Sequence, residues 1–257
     1  MRNAAHERDN WDRHWAEYAF SAADNPAQDF RRRLILRLLV GVSETSRVVD
    51  IGSGTGDLAV SLRAAYPHTA LLGLELSLTG VELAQRRVPD AAFLQVDLSD
   101  AQSPPPEYTS WATHAVCSEV LEHVDDPAAL IANARPYLAP GCLFVVTVPG
   151  GPTTEYDRHI GHRKHFEAAE VRRLLADAGF DVVEATGAGY PAFNVYRRLM
   201  RALGARLVSI AGSTKPSAVS RLGMRAFGLA LRSTRLSSRG WQIVAVARLV
   251  GSDPWPP

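Results

Sequence analysis

Short runs of apolar and β-branched residues alternate with helix-like segments between about residues 45 and 186. This alternation is typical of a parallel sheet covered by helices on both faces. It predicts strands at 47–51, 70–75, 92–97, 114–119, 142–148, 181–186 and, last, 241–250. The helices are expected to begin near Gly56, Thr79, Pro127 and Glu167 and to stop at 138–141 and 178–180. The predicted fold class is α/β, with a Rossmann-like seven-stranded sheet flanked by helices.

Two segments lie outside this alternation. Residues 9–40 predict two helices in front of the sheet, and residues 190–240 place arginines and large apolar residues at helical spacing before the last strand. The chain is therefore divided into an N-terminal helical lid at 1–44, a core at 45–189, a helical cap inserted at 190–240, and the last core strand with a tail at 241–257.

Charge is distributed unevenly along the 257 residues. The formal net charge is +1, but residues 1–184 carry −9 and residues 185–257 carry +10. A basic C-terminal part suits an anionic substrate, a membrane surface or a solvated face. The polar N-terminal residues predict neither a signal peptide nor a membrane span, so a cytoplasmic location is expected. Cys117 and Cys142 lie in apolar runs without CxxC spacing, which favours a packing role for both.

The stretch VVDIGSGTGDLAV, residues 48–60, places three glycines at every second position between a strand and a helix. Glycine allows a ligand to approach the main chain, and a helix N-terminus offers free N–H groups. The dinucleotide fingerprint GxGxxG is not matched, and no GK[ST] follows. Asp50 stands before the first glycine, where it would repel a pyrophosphate but suit an ammonium group.

Carboxylates also end the next two strands. Glu75 lies where a carboxylate can accept both ribose hydroxyls, and Asp97 lies where one can accept a hydrogen bond from an adenine amine. Together with Asp50, they describe a cationic nucleoside that carries an amino acid. The ligand with this chemistry is S-adenosylmethionine.

These stretches resemble a class I S-adenosylmethionine-dependent methyltransferase, and EVLEHVDDP and YDRHIGHRKHF are similar to its bacterial small-molecule branch, which includes quinone-pathway and natural-product enzymes. The resemblance places Asp50, Gly52 and Gly54 at the methionine end, Glu75 on the ribose, and Asp97 with Leu98 at the adenine. Glu119 would border the methyl group. The full set expected to bind cofactor is Asp50, Gly52, Ser53, Gly54, Glu75, Leu76, Asp97, Leu98 and Ser118.

Candidate groups for the acceptor's chemistry fall in two stretches. Glu119 and His123 are four residues apart and would share a face in a helix. His162 and His123 are the first candidates for a general base or substrate clamp, because a histidine pKa lies near neutrality. Tyr156 and His159 follow them. No metal is predicted, because Gly161 interrupts the histidine spacing and no acid or cysteine stands at ligand spacing.

The acceptor itself is expected to be a small molecule rather than a nucleic acid, since no NPPY-type stretch is present. Trp15 and Tyr18 are candidates for a lid, and Arg197 and Arg198 for binding an anionic group. The 190–240 composition favours a hydrophobic acceptor with an anionic group, such as a prenyl diphosphate or a lipid-linked sugar, or a peripheral contact with anionic lipid. A protein that binds the cofactor without transferring methyl is the alternative, and the sequence leaves the oligomeric state open.

Overall fold

The computed structural model describes residues 10–22, 26–210, 227–231 and 235–251. Its centre is a seven-stranded sheet in the order β3-β2-β1-β4-β5-β7-β6. The strands are β1 (Arg47–Ile51), β2 (Ala70–Glu75), β3 (Ala92–Gln95), β4 (Ala112–Ser118), β5 (Leu138–Pro149), β6 (Phe180–Ala188) and β7 (Gln242–Leu249). β7 runs antiparallel to both of its neighbours, whereas β1 to β5 pair in parallel.

Helices surround the sheet in the part of the chain just defined, and residues 227–231 are helical in addition to the eight helices named next. The eight are α1 (Trp11–Ala22), α2 (Pro26–Leu38), α3 (Asp57–Ala65), α4 (Leu78–Arg87), α5 (Pro127–Ala134), α6 (Glu155–His159), α7 (Ala168–Asp177) and α8 (Ala192–Ile210). Over these stretches no helix is long and apolar enough to cross a membrane.

The sheet has a core on each face because successive strand residues point in opposite directions. Val49 and Ile51 of β1 pack toward α5 and α7, whereas Val48 between them packs toward α2, α3 and α4. Cys117 and Cys142 are buried free thiols within the sheet, as expected of packing residues. A third cluster joins α2 to α8 through Phe30 and other apolar side chains.

The predicted N-terminal pair of helices and seven strands are all confirmed. One expected helix end is wrong: residues 138–141 belong to β5, while α5 stops at Ala134 and a 3₁₀ turn follows. A register irregularity in β4 lets Leu138 pair with Ala112 ahead of the regular ladder that starts at Leu143. The Pro140-Gly141 pair, which predicted a helix end, therefore lies within a strand because β5 pairs with β4. Residues 211–226, which include the predicted break in the insertion, lie outside the described residues.

The strand order changes direction between β1 and β4, which are neighbours although β2 and β3 intervene in the chain. Ligands of open α/β sheets bind outside the carboxyl ends of the strands at such a point. The ends of β1, β2 and β4 therefore position the candidate site.

Candidate active site

The glycine turn folds back onto the end of β2. The N–H groups of Gly52 and Ser53 both donate to the Leu74 carbonyl, at 2.8 and 3.0 Å. Gly52 and Gly54 have φ values of 72° and 54°, in the left-handed region that favours glycine. The turn thus needs glycine, and it brings the β1 end beside the β2 carboxylate before α3 begins.

Glu75 is held at the end of β2 by the main chain around it. Its carboxylate accepts hydrogen bonds from the Gly54 N–H at 2.8 Å and the Ser77 N–H at 3.0 Å, and only 6% of the residue is exposed. Burial raises the pKa of Glu75, while these backbone donors act in the opposite direction. The carboxylate is therefore fixed at the position expected for ribose recognition.

Asp50 is buried at the start of the turn with 5% exposure. Burial, with the Glu75 and Asp57 carboxylates nearby, raises the pKa of Asp50 to about 7. Within the described residues no side chain forms an ion pair with it. A buried carboxylate in this state suits a cationic ligand group, because a nearby positive charge restores the ionised form. The buried Asp50 carboxylate, a hydrogen-bond acceptor, therefore fits the amino group of S-adenosylmethionine.

The remaining predicted cofactor residues surround this centre, and their cofactor contacts stay predictions. Asp97 accepts hydrogen bonds from the Ser99 N–H and hydroxyl, while the side chain of Leu98 is buried in the core. Leu76 is partly exposed, and the Ser118 hydroxyl bonds Thr147. Ser53 is buried, and no hydrogen-bond partner for its hydroxyl is present among the described atoms.

Helix α1 lies across this site and packs against α4. The indole N–H of Trp15 donates to Glu75 at 3.4 Å, and the ring fills the space beside Gly54 and Gly80. One turn earlier, the Asp12 carboxylate accepts from the Ser77 hydroxyl at 2.5 Å. The lid role of Trp15 stays a prediction, and the Tyr18 side chain lies outside the described residues.

Glu119 differs from its predicted arrangement with His123. It adopts a left-handed φ of 58°, and residues 121–123 form a 3₁₀ turn instead of the α-helix that would align the pair. Its carboxylate turns to Arg31, at 3.0 Å, and to the Gln242 amide, at 2.8 Å. The predicted shared helical face is therefore wrong, and Glu119 is held by an ion pair at the end of β4.

A cluster of ionisable side chains lies beside the β4 end. The rings of His123 and His162 meet edge to face with centroids 4.7 Å apart, and a ring nitrogen of each lies 4.0 Å from the same Glu122 oxygen. His162 Nδ1 lies 3.3 Å from Nε2 of His165, whose Nδ1 bonds the Gly151 carbonyl at 2.9 Å. We call Glu122, His123, His162, His165 and Asp157 the histidine cluster.

The histidine cluster is buried, and this sets its protonation. Burial lowers the pKa of His162 to about 3 and that of His123 to about 4. Burial and the neighbouring Glu119 carboxylate raise the pKa of Glu122. Both imidazoles are consequently neutral at neutral pH.

Asp157 connects the histidine cluster to α8. Its two oxygens accept from the two terminal nitrogens of Arg197, each at 2.9 Å. Burial alone would raise the pKa of Asp157, but the hydrogen bonds and charge of Arg197 lower it. Arg197 therefore pairs with an internal carboxylate and not, as predicted, with an anionic substrate group.

The structure also separates the other candidates. His159, a further candidate for a base or clamp, is exposed at the end of α6, and the Tyr156 side chain lies outside the described residues. Arg198 is exposed and stacks over the Trp241 ring at 5.3 Å. The prediction of no metal assumed that no acid stands at ligand spacing from the histidines. This premise is wrong, because the fold places Glu122 and Asp157 at ligand spacing from them. The sequence feature that could have indicated this cluster is Glu122, an acid within the apolar stretch VLEHV.

The glycine turn after β1, the acid ending β2 and the reversed last strand define a nucleoside-binding α/β protein. A family model described as a methyltransferase domain matches residues 16–185, more than half of the chain. The chain therefore belongs to the class I S-adenosylmethionine-dependent methyltransferase family. The cofactor of this family is S-adenosylmethionine.

Among curated relatives, a trans-aconitate 2-methyltransferase from Methylobacterium nodulans is 34% identical over 124 residues, which cover 48% of this chain and 44% of that protein. The chain thus spans about half or less of the first curated relatives it matches. Among solved structures, a putative methyltransferase bound to the Haloferax volcanii activator Trm112 has a TM-score of 0.61 at 21% identity, covering 93% of this chain and 99% of that one. The [4+2]-cyclase SpnF has a TM-score of 0.58 at 17% identity, covering 88% and 82%. At these identities both structures share the fold alone.

Proposed function

We propose that this protein transfers the methyl group of S-adenosylmethionine to a small-molecule acceptor. The observation that carries the proposal is the pair of buried carboxylates at the β1 and β2 ends, Asp50 and Glu75, on the two sides of the glycine turn. Two backbone N–H groups hold the Glu75 carboxylate, which would accept the ribose hydroxyls. Asp50 would hold the ammonium group.

Methyl transfer from a sulfonium is an in-line displacement, so the protein contributes mainly alignment of the acceptor with the methyl carbon and the sulfur. The acceptor space would lie beyond the β4 end, between Ser118, the histidine cluster and α1. Trp11 packs edge to face on His123 at 4.8 Å and Trp15 reaches Glu75, so α1 covers both halves of the site. A lid of this kind would keep water from the reacting groups.

His162 and His123 are the proposed groups that contact the acceptor. Their low pKa values make them neutral hydrogen-bond partners, which suits a clamp better than a strong base. A base is required only when the acceptor must lose a proton, so the acceptor atom, O, N or activated C, decides this step.

The acceptor class is proposed to be a hydrophobic compound with an anionic group. A relative bears the name trans-aconitate 2-methyltransferase, and α8 exposes Val195 and Leu199 beside the basic Arg198. The specific alternative is C-methylation of a prenyl diphosphate or methylation of a lipid-linked substrate, with the 190–240 cap in peripheral contact with a membrane. The proposed setting is cytoplasmic small-molecule biosynthesis, consistent with two free buried cysteines.

The test is to incubate the protein with S-adenosylmethionine and, separately, carboxylic acids, phenols, amines and prenyl diphosphates, and to search by mass spectrometry for products with one added CH₂ unit. A methylated product that depends on Asp50 would support the proposal. Cofactor binding with no methylated product across these classes would favour the competing proposal, a cofactor-binding protein that does not transfer methyl. The [4+2]-cyclase SpnF has the same fold as this chain, which is why we keep that alternative.

A further inference from the structure

The Glu122 carboxylate is an anomaly in the histidine cluster. The residue is 0% exposed, and neither carboxylate oxygen has a hydrogen-bond partner among the described residues. An unpartnered buried carboxyl group loses its hydration without a compensating hydrogen bond, which is unfavourable. Native proteins rarely keep such a group unless it binds something.

The groups that face Glu122 are metal-ligand types. One ring nitrogen of His123 and Nε2 of His162 each lie 4.0 Å from Glu122 Oε1, and the three ligand atoms lie within 4.8 Å of one another. Two ligands of a tetrahedral ion at about 2.1 Å are about 3.4 Å apart, so the three atoms would have to close from separations of up to 4.8 Å, by about 1.4 Å at most. Side-chain rotation supplies a shift of this size.

Hydrogen bonding also orients His162 correctly for a ligand. His165 Nδ1 must carry its proton because it bonds the Gly151 carbonyl, which only accepts. Nε2 of the neutral His165 ring is then an acceptor, and His162 Nδ1 donates to it over 3.3 Å. His162 Nε2, which lies 4.0 Å from Glu122 Oε1, is left with a lone pair. An outer partner that fixes the tautomer in this way is typical of metal-ligating histidines.

We propose that Glu122, His123 and His162 bind a divalent transition-metal ion of the zinc type, with His165 positioning His162. Two imidazoles and one carboxylate suit such an ion. With three protein ligands, a fourth position would remain for an acceptor oxygen or water, so in the metal-bound protein His123 and His162 would act on the acceptor through the ion and not by direct hydrogen bonds. The site lies beneath Trp11 of α1 and beside the β4 end. The binding of metal does not depend on the proposed methyl transfer.

The experiment uses untagged protein, treated with a chelator and dialysed, then titrated calorimetrically with Zn²⁺ and measured for metal content. The expected result is one ion per chain. Because outer partners alone contribute about 10- to 100-fold in affinity, loss of a ligand in Glu122→Gln or His162→Asn should weaken binding by more than about 100-fold. His165→Ala should weaken it by about 10- to 100-fold.

Matched controls are Glu155→Gln and His159→Asn, which change an exposed acid and an exposed histidine of helix α6, just before His162 in the chain. Both should bind Zn²⁺ as the parent does. A cobalt-substituted sample gives a second measurement, since its visible spectrum should change in the Glu122 and His162 variants only. The proposal is overturned if the parent binds no ion, or if all variants bind Zn²⁺ equally.

Discussion

The indole N–H of Trp15 donates a hydrogen bond to Glu75 over 3.4 Å, which joins helix α1 to the carboxylate at the end of β2. The same carboxylate is the expected ribose acceptor. Under the proposed assignment, Trp15 and the cofactor would bind the same carboxylate. Because 3.4 Å is long for such a bond, we expect the ribose hydroxyls to replace the indole readily.

Ligand binding at Glu75 should displace the indole of Trp15. Adding S-adenosylhomocysteine should move the Trp15 indole and change the tryptophan emission of the protein. Trp15→Phe should still bind the ligand but lose most of that emission change, measured by fluorescence titration. An undiminished change in Trp15→Phe would show that the ligand leaves Trp15 in place.

Asp50 should couple cofactor binding to pH. Its pKa is raised to about 7 by burial and by Glu75 and Asp57, and a cofactor ammonium favours its ionised form. Affinity for S-adenosylhomocysteine should therefore fall as the pH decreases from 8 to 6, both values being about one unit from this pKa. Calorimetry at several pH values checks this. A flat profile would contradict the role of Asp50.

The raised pKa of Asp50 also predicts that the free energy of unfolding depends on pH. A carboxyl whose folded-state pKa lies above its unfolded value stabilises the fold at low pH, and this contribution is lost as the pH rises through about 7. Asp50→Asn should thus raise the free energy of unfolding at alkaline pH by about 1–4 kcal/mol, with about 1.4 kcal/mol per pKa unit, and leave it nearly unchanged at low pH. Urea unfolding of both proteins at low and high pH measures the difference. Equal effects of Asp50→Asn at low and at high pH would contradict the raised pKa of Asp50.

The Asp157–Arg197 pair should anchor α8 to the loop that carries His162. Asp157 is 0% exposed and Arg197 14% exposed, so removing one partner leaves a buried charge. Arg197→Met should lower the free energy of unfolding by about 3–5 kcal/mol, and Asp157→Asn in the same chain should restore part of it. Arg198→Met, on the exposed side of α8, is the matched control. A double variant no more stable than Arg197→Met would argue against the pair.

His162 should contribute to turnover more than to cofactor affinity. His162→Asn removes a group on the acceptor side of the site, and a lost positioning or proton-transfer contact typically lowers turnover by about 10²- to 10⁴-fold. His159→Asn should behave as the parent because its side chain is exposed. Single-turnover methyl transfer, once an acceptor is known, measures the effect. Equal rates in both variants would return His162 to a structural role.

Much of the fold follows from local pattern. The predicted bounds of β1 and β2, 47–51 and 70–75, are confirmed residue for residue, because each strand is a short apolar run stopped by an acid or a glycine turn. The glycine turn and Glu75 could be assigned for the same reason. Their signals are contiguous in the sequence.

The rest depends on contacts between distant residues. Glu122 meets His162 across 40 positions, and Asp157 meets Arg197 across another 40. Neither pairing has a periodic signature. The turn of Glu119 toward Arg31 depends on a left-handed backbone that few non-glycine residues adopt, so helical spacing misplaced it.

We propose that Glu75 binds the ribose of S-adenosylmethionine at the end of β2. Calorimetric titration with S-adenosylhomocysteine tests it most directly, comparing the parent with Glu75→Ala and with the exposed control Glu82→Ala. We expect one site per chain, a loss of about 1–3 kcal/mol of binding free energy in Glu75→Ala, and no change in the control. No binding by the parent, or equal affinity in Glu75→Ala, would contradict it.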